Sequence, residues 1–112
     1  MGDPRVQWVP GFYNVTLTRA FAKRAAPALF VDMDCDLYSS TYQALDWLLS
    51  HKLVSPARGV HSMLSYDDWG NGGRNGQQAA HRKLMLAHNA TAKLLTSFGV
   101  NAWHPEYYVT NA

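Results

Sequence analysis

Five of the eight acidic side chains in this 112-residue chain stand in two short clusters. Asp32, Asp34 and Asp36 alternate through Ala28-Leu-Phe-Val-Asp-Met-Asp-Cys-Asp-Leu-Tyr-Ser-Ser-Thr41, and Asp67-Asp68 closes the run His61-Ser-Met-Leu-Ser-Tyr66. Like charges packed this way repel unless something positive lies between them. Carboxylates that converge on one spot suit a hard divalent cation such as Mg²⁺, which takes oxygen ligands and keeps several waters. Asp34, Asp67 and Asp68 are the candidate metal ligands. Asp36, and in part Asp32, have a simpler use, because carboxylates favour helix N-termini.

For these acids to meet, the chain must bring residues 34 and 67 to one place, and its apolar pattern says how. Ala28 to Val31 is a continuous apolar run following Pro27, too short for a helix; it reads as a strand buried on both faces. Ser40 and Gln43 form a capping box, with Ala44-Leu45, Leu48-Leu49 and Leu53 at helical spacing behind it. Val60 to Tyr66 reads as a second strand. Arg5 to Val9 alternates like a short strand, and Thr16 to Arg24 like a helix. After a glycine-rich loop (69–76), Ala80, Leu84, Ala87, Thr91, Leu94 and Phe98 repeat at 4, 3, 4, 3, 4, which predicts one long helix with Gly99 as its C′ residue. Residues 100–110 read as short strands broken at His104-Pro105. Alternating strands and helices predict an α/β fold: a mostly parallel sheet with flanking helices and room for an antiparallel C-terminal strand. Ligands in such sheets bind beyond the carboxyl ends of the strands, where both acid clusters fall.

Composition narrows the function classes. Apolar residues make up 47% and charged residues 16%, a globular balance. A formal charge of +2, with Arg74, Arg82, Lys83 and Lys93 spread apart, argues against a nucleic-acid face. No apolar run approaches the ~20 residues of a membrane span, and the N-terminus lacks the apolar segment of a secretory signal. The single Cys35 rules out an internal disulfide framework, so a cytoplasmic protein is expected. The glycine-rich loop is not a phosphate cradle: it has no Gly-Lys-Ser/Thr, and Asn75 stands where a dinucleotide fingerprint needs glycine. A mobile loop beside the site, with Trp69 in a substrate wall, is the expected role. His51, His61, His81, His88 and His104 read as structural or surface residues.

Asp34-Cys-Asp-Leu-Tyr-Ser-Ser-Thr41, the later Tyr66-Asp-Asp-Trp69 and the opening Val6-Gln-Trp-Val-Pro-Gly-Phe-Tyr-Asn-Val-Thr-Leu17 resemble the macrocin O-methyltransferase family of S-adenosylmethionine-dependent enzymes. The resemblance implies a Rossmann-like methyltransferase sheet. It also implies Mg²⁺ on Asp34, Asp67 and Asp68, with Asp34 doubling as catalytic base. Gly11, Phe12, Asp34 and Cys35 would lie on the S-adenosylmethionine side, and the acceptor would be a hydroxyl of a sugar or secondary metabolite. Against the family pattern, the first two strands and the glycine-rich cofactor loop would precede residue 5. Residues 1–112 are therefore expected to form a single incomplete domain, its missing half supplied by another chain or its exposed surface covered in a homo-oligomer. Two alternatives accompany this reading. One is a non-catalytic methyltransferase remnant. The other is a Mg²⁺-dependent haloacid-dehalogenase-type phosphotransferase, resembled by Leu29-Phe-Val-Asp32-Met-Asp34, in which Asp32 would be the nucleophile.

Overall fold

The computed structural model describes residues 2–54, 56–57, 60–70, 75–98 and 104–111. Its centre is a four-stranded sheet made of β1 (Phe30–Met33), β4 (Met63–Tyr66), β5 (Thr91–Phe98) and β6 (His104–Asn111), in the order β1-β4-β6-β5. β2 (Pro56–Ala57) and β3 (Val60–His61) form a small antiparallel pair on the way into β4. The helices are α1 (Tyr13–Thr16), α2 (Arg19–Arg24), α3 (Tyr38–Ser50) and α4 (Gln77–Ala87).

The expected mostly parallel, Rossmann-like sheet does not form. Among the described residues only β1 and β4 pair in parallel, whereas β6 runs antiparallel to β4 on one side and to β5 on the other. The domain is a small mixed α/β unit. Its difference from the expectation lies in the C-terminal third, where Thr91–Phe98 is strand β5 rather than the end of a long helix. A Schellman motif stops α4: Asn89 takes a positive φ of 50°, its N–H donates to Leu86 O, and the Ala90 N–H donates to Met85 O at 2.7 Å. Helical spacing of apolar residues continues past that point only by coincidence, and pairing with β6 wins. Gly99, residues 71–74 of the glycine-rich loop and the first part of the 100–110 segment lie outside the described residues.

Other boundaries also shift. Residues 5–9 make no strand, and of the helix read over 16–24 only Arg19–Arg24 forms, as α2, capped by Thr18 Oγ1 accepting from the Phe21 N–H at 3.0 Å, while Thr16 ends α1. α3 begins at Tyr38 after Leu37, so the Ser40/Gln43 capping box falls inside the helix and is not used. β1 is an edge strand, not a strand buried on both faces, and Phe30 remains 53% exposed. Pro105 does not break β6, because it pairs with Ser97 near the strand's start.

What holds the sheet to the helices is one apolar layer. Leu45, Leu48 and Leu49 of α3, Leu84 and Met85 of α4, and Met33, Leu64, Tyr66 and Val109 of the sheet are all buried. Removing such side chains from water at ~25 cal/mol per Å² is the main stabilising contribution. α3 also ends in a Schellman motif, with Lys52 at φ 56° and the Leu53 N–H donating to Leu48 O, and both leucines are buried. Among the described residues no helix is long and apolar enough to cross a membrane.

Candidate metal centre

Parallel pairing sets the site. The β1–β4 register ends at Met33 opposite Tyr66, and the Asp67 N–H still donates to Met33 O at 3.0 Å. The residues that leave the two strands therefore emerge side by side. As a result Asp34, Asp67 and Asp68 each bring a carboxylate oxygen into one group in which all three lie within 4.8 Å of one another. The spacing suits oxygens that share one cation.

Their electrostatics are those of crowded acids. The Asp34 carboxyl is raised above its usual range, chiefly by a carboxyl–carboxyl hydrogen bond with Asp67 and by that neighbour's charge. Asp68 is pushed up to about 6, first by burial, then by hydrogen bonding and repulsion from Asp36, then by the charges of Asp34 and Asp67. Although Asp68 as a residue is only part-buried, its Oδ2 is shut off from solvent and has no hydrogen-bond partner among the described residues. A buried acceptor without a donor carries a desolvation cost that a bound cation would remove. The donor set is all oxygen, as Mg²⁺ requires.

Asp32 and Asp36 are exposed and are not part of the triad. Asp32 instead lines an apolar cavity with Tyr13, Leu17, Val31, Trp47 and Leu48, on the helical side of β1. The nucleophile of the phosphotransferase alternative is therefore not among the residues that converge.

Three of the four residues expected on the cofactor side meet elsewhere. Gly11, Phe12 and Cys35 line a cavity of about 150 Å³ together with Tyr13, Ser40 and Gln43. Asp34 does not line it. Gly11 has a φ of +129°, and a Cβ there would come within 2.8 Å of Thr16 Cγ2, so only glycine fits this turn. Phe12 is 83% exposed. The Cys35 thiol is raised mainly by burial, against hydrogen bonds from Thr41 and Tyr13. Small-molecule sites usually have about 300–1,000 Å³. This cavity takes one ring and not the whole of S-adenosylmethionine.

No protein-family model, no curated protein and no solved structure matches this chain.

Two polar residues that the sequence did not single out reach the site. His104 Nδ1 lies 3.2 Å from Asp67 Oδ1, delivered by the first residue of β6. Nothing in the sequence places β6 beside β4, so no local signal marks His104. Gln77 is the other. Its side chain is fully buried and bonds both strand ends. Its position was legible, since Gln77, Ala80 and Leu84 share one stripe of α4 and a polar residue there is out of place.

The remaining ring residues are structural. Tyr66 and Trp69 pack with His81 and Tyr107, and the Tyr66 hydroxyl hydrogen-bonds His81 Nδ1 at 2.7 Å. Trp69, expected in a substrate wall, is a wall of this cluster instead. Burial holds His81 down at about 4. His88 Nε2 meets Asp46 Oδ1 at 2.7 Å, and His61 Nδ1 contacts Val109 O at 2.9 Å. His51 caps α3 beside Trp47.

Proposed function

We propose that Asp34, Asp67 and Asp68 bind a divalent cation of the Mg²⁺ type, and that this site serves O-methyl transfer from S-adenosylmethionine to a hydroxyl of a sugar or secondary metabolite. One observation carries the cation: three carboxylate oxygens within 4.8 Å of one another, with the buried Asp68 Oδ2 lacking a donor among the described residues. The methyl-transfer part rests on the resemblance of residues 34–41 and 66–69 to the macrocin O-methyltransferase family. A cation held there would supply a positive charge that lowers the pKa of an acceptor hydroxyl.

The chain's own residues have separable tasks in this reading. Asp68 and Asp67 fix the anionic wall at the end of β4, and Asp34 faces them from β1. Asp34 is exposed at the mouth of the cluster, so its carboxylate can take the proton of the acceptor hydroxyl. Gly11, Phe12 and Cys35 offer a ring-sized recess, and the rest of a pocket for S-adenosylmethionine would come from a second chain or a second copy of this one.

Titration calorimetry of the chain with Mg²⁺, and with S-adenosylmethionine in the presence and absence of Mg²⁺, tests both parts. The proposal expects cation binding that Asp68→Asn abolishes, and cofactor binding that strengthens when the cation is present. Cation binding without any cofactor heat up to millimolar concentration would leave the metal site and remove the methyltransferase reading.

A further inference from the structure

We infer that Gln77, on the first turn of α4, is the positioning residue that sets the distance between the two halves of the acid cluster. This rests on the cation reading above and adds a residue to it. Strand pairing alone does not fix Asp68, which lies two residues beyond Tyr66, the last paired position of β4. A single side-chain amide takes over where pairing stops. Gln77 Nε2 donates to Met33 O at 2.9 Å and to Cys35 O at 3.0 Å, the two carbonyls flanking Asp34. Gln77 Oε1 accepts from the Asp68 N–H at 3.0 Å.

The chemistry favours this role over mere filling. Gln77 is 0% exposed and sits on the buried stripe of α4, where an apolar side chain would meet no polar cost. Both amide protons and the carbonyl are used, so the buried amide is fully satisfied and rigidly held. A planar amide, with two N–H donors and an acceptor oxygen on one carbon, ties the Met33 and Cys35 carbonyls on either side of Asp34 to the peptide nitrogen of Asp68. Repulsion among Asp34, Asp67 and Asp68 pushes the strand ends apart, and the amide resists that separation. Asparagine, one methylene shorter, does not span the same three groups.

The test compares Mn²⁺ affinity, by electron paramagnetic resonance of the free ion, for the wild-type chain, Gln77→Met and Gln78→Ala. Gln78 is the control, because its Nε2 makes a similar bond from α4 to Trp69 O at 3.0 Å without touching the acids. Outer-shell partners typically change metal affinity by about 10- to 100-fold. Gln77→Met is expected to lose that much at a temperature where circular dichroism shows it folded, and Gln78→Ala to bind like wild type. A folded Gln77→Met with wild-type affinity overturns the inference while leaving the cation site intact. A wild-type chain that binds no Mn²⁺ overturns both. Should Gln77→Met not fold, the wild-type chain decides by nuclear magnetic resonance during a Mg²⁺ titration. The Gln77 side-chain amide must then shift with the same midpoint as the Asp34 and Asp68 backbone amides, and a stationary Gln77 amide beside a moving Asp68 amide refutes the link.

Discussion

Replacing Asp68 by asparagine should make the cation-free protein more stable at neutral pH and no more stable in acid. Asp68 holds its proton up to about 6 against an ordinary 3.8, because burial and the charges of Asp36, Asp34 and Asp67 disfavour its ionised form. The sign follows from linkage. The folded state binds this proton more tightly than the unfolded chain, so the penalty is absent below about pH 4, grows as pH rises through 6, and is complete above it. A difference of this size has an upper bound of about 3 kcal/mol. Asp68 as a residue is only part-buried, and screening reduces the expected gain to about 1–2 kcal/mol. The Asp68→Asn substitution keeps the backbone N–H that donates to Gln77 and removes only the charge. With an unfolding entropy of about 2.1 cal/mol/K per residue, that gain raises Tm by about 4–8 °C at pH 7.5. Differential scanning calorimetry in EDTA at pH 7.5 and pH 4 measures it. An Asp68→Asn variant with an unchanged or lower Tm at pH 7.5, or with the same gain at pH 4, would show that the carboxylates are not under mutual strain.

Three further outcomes follow from the same contacts. Tyr66→Phe removes the hydroxyl on His81 Nδ1 inside a buried cluster and should cost about 1–3 kcal/mol in denaturant unfolding. His81, held neutral by burial at about 4 against 6.5, should make stability fall by about 3 kcal/mol as pH drops from 6.5 to 4, opposite in sign to Asp68; guanidinium midpoints across that range read it. Trp47→Phe deletes the bond from Trp47 Nε1 to Thr18 O at 2.9 Å, which ties α3 to the start of α2. Tryptic cleavage at Arg19, Lys23 and Arg24 should then accelerate, with little change in global Tm.

The acid triad was legible because it depends on few long-range facts. Two apolar runs end in carboxylates, and a single parallel pairing of neighbouring strands is enough to bring Asp34 beside Asp67. The sheet's C-terminal half was not legible. Thr91, Leu94 and Phe98 continue the helical spacing of α4, while the stop signal is Asn89, a residue that takes left-handed backbone less readily than glycine and so marks a helix end more weakly than Gly99 does. Once α4 is cut at Ala87, Thr91–Phe98 pairs with β6, and β6 takes the place between β4 and β5. His104 reaches Asp67 only through that arrangement. Gln77 was half legible, as a polar residue on an apolar stripe, but its partners Met33 O and Cys35 O are 44 and 42 residues away. Ser40 and Gln43 misled in the other direction, since α3 starts two residues before the capping pattern and packs Thr41 and Leu45 inward from there.

In the proposed reading Asp34, Asp67 and Asp68 together hold one divalent cation. Mn²⁺ titration of the purified chain followed by electron paramagnetic resonance, with Mg²⁺ as competitor, measures it directly. The structure leads us to expect one site per chain, displaced by Mg²⁺ and lost in Asp34→Asn and in Asp68→Asn, while Asp32→Asn binds as wild type. Absence of saturable binding, or binding that survives Asp68→Asn, would contradict the assignment.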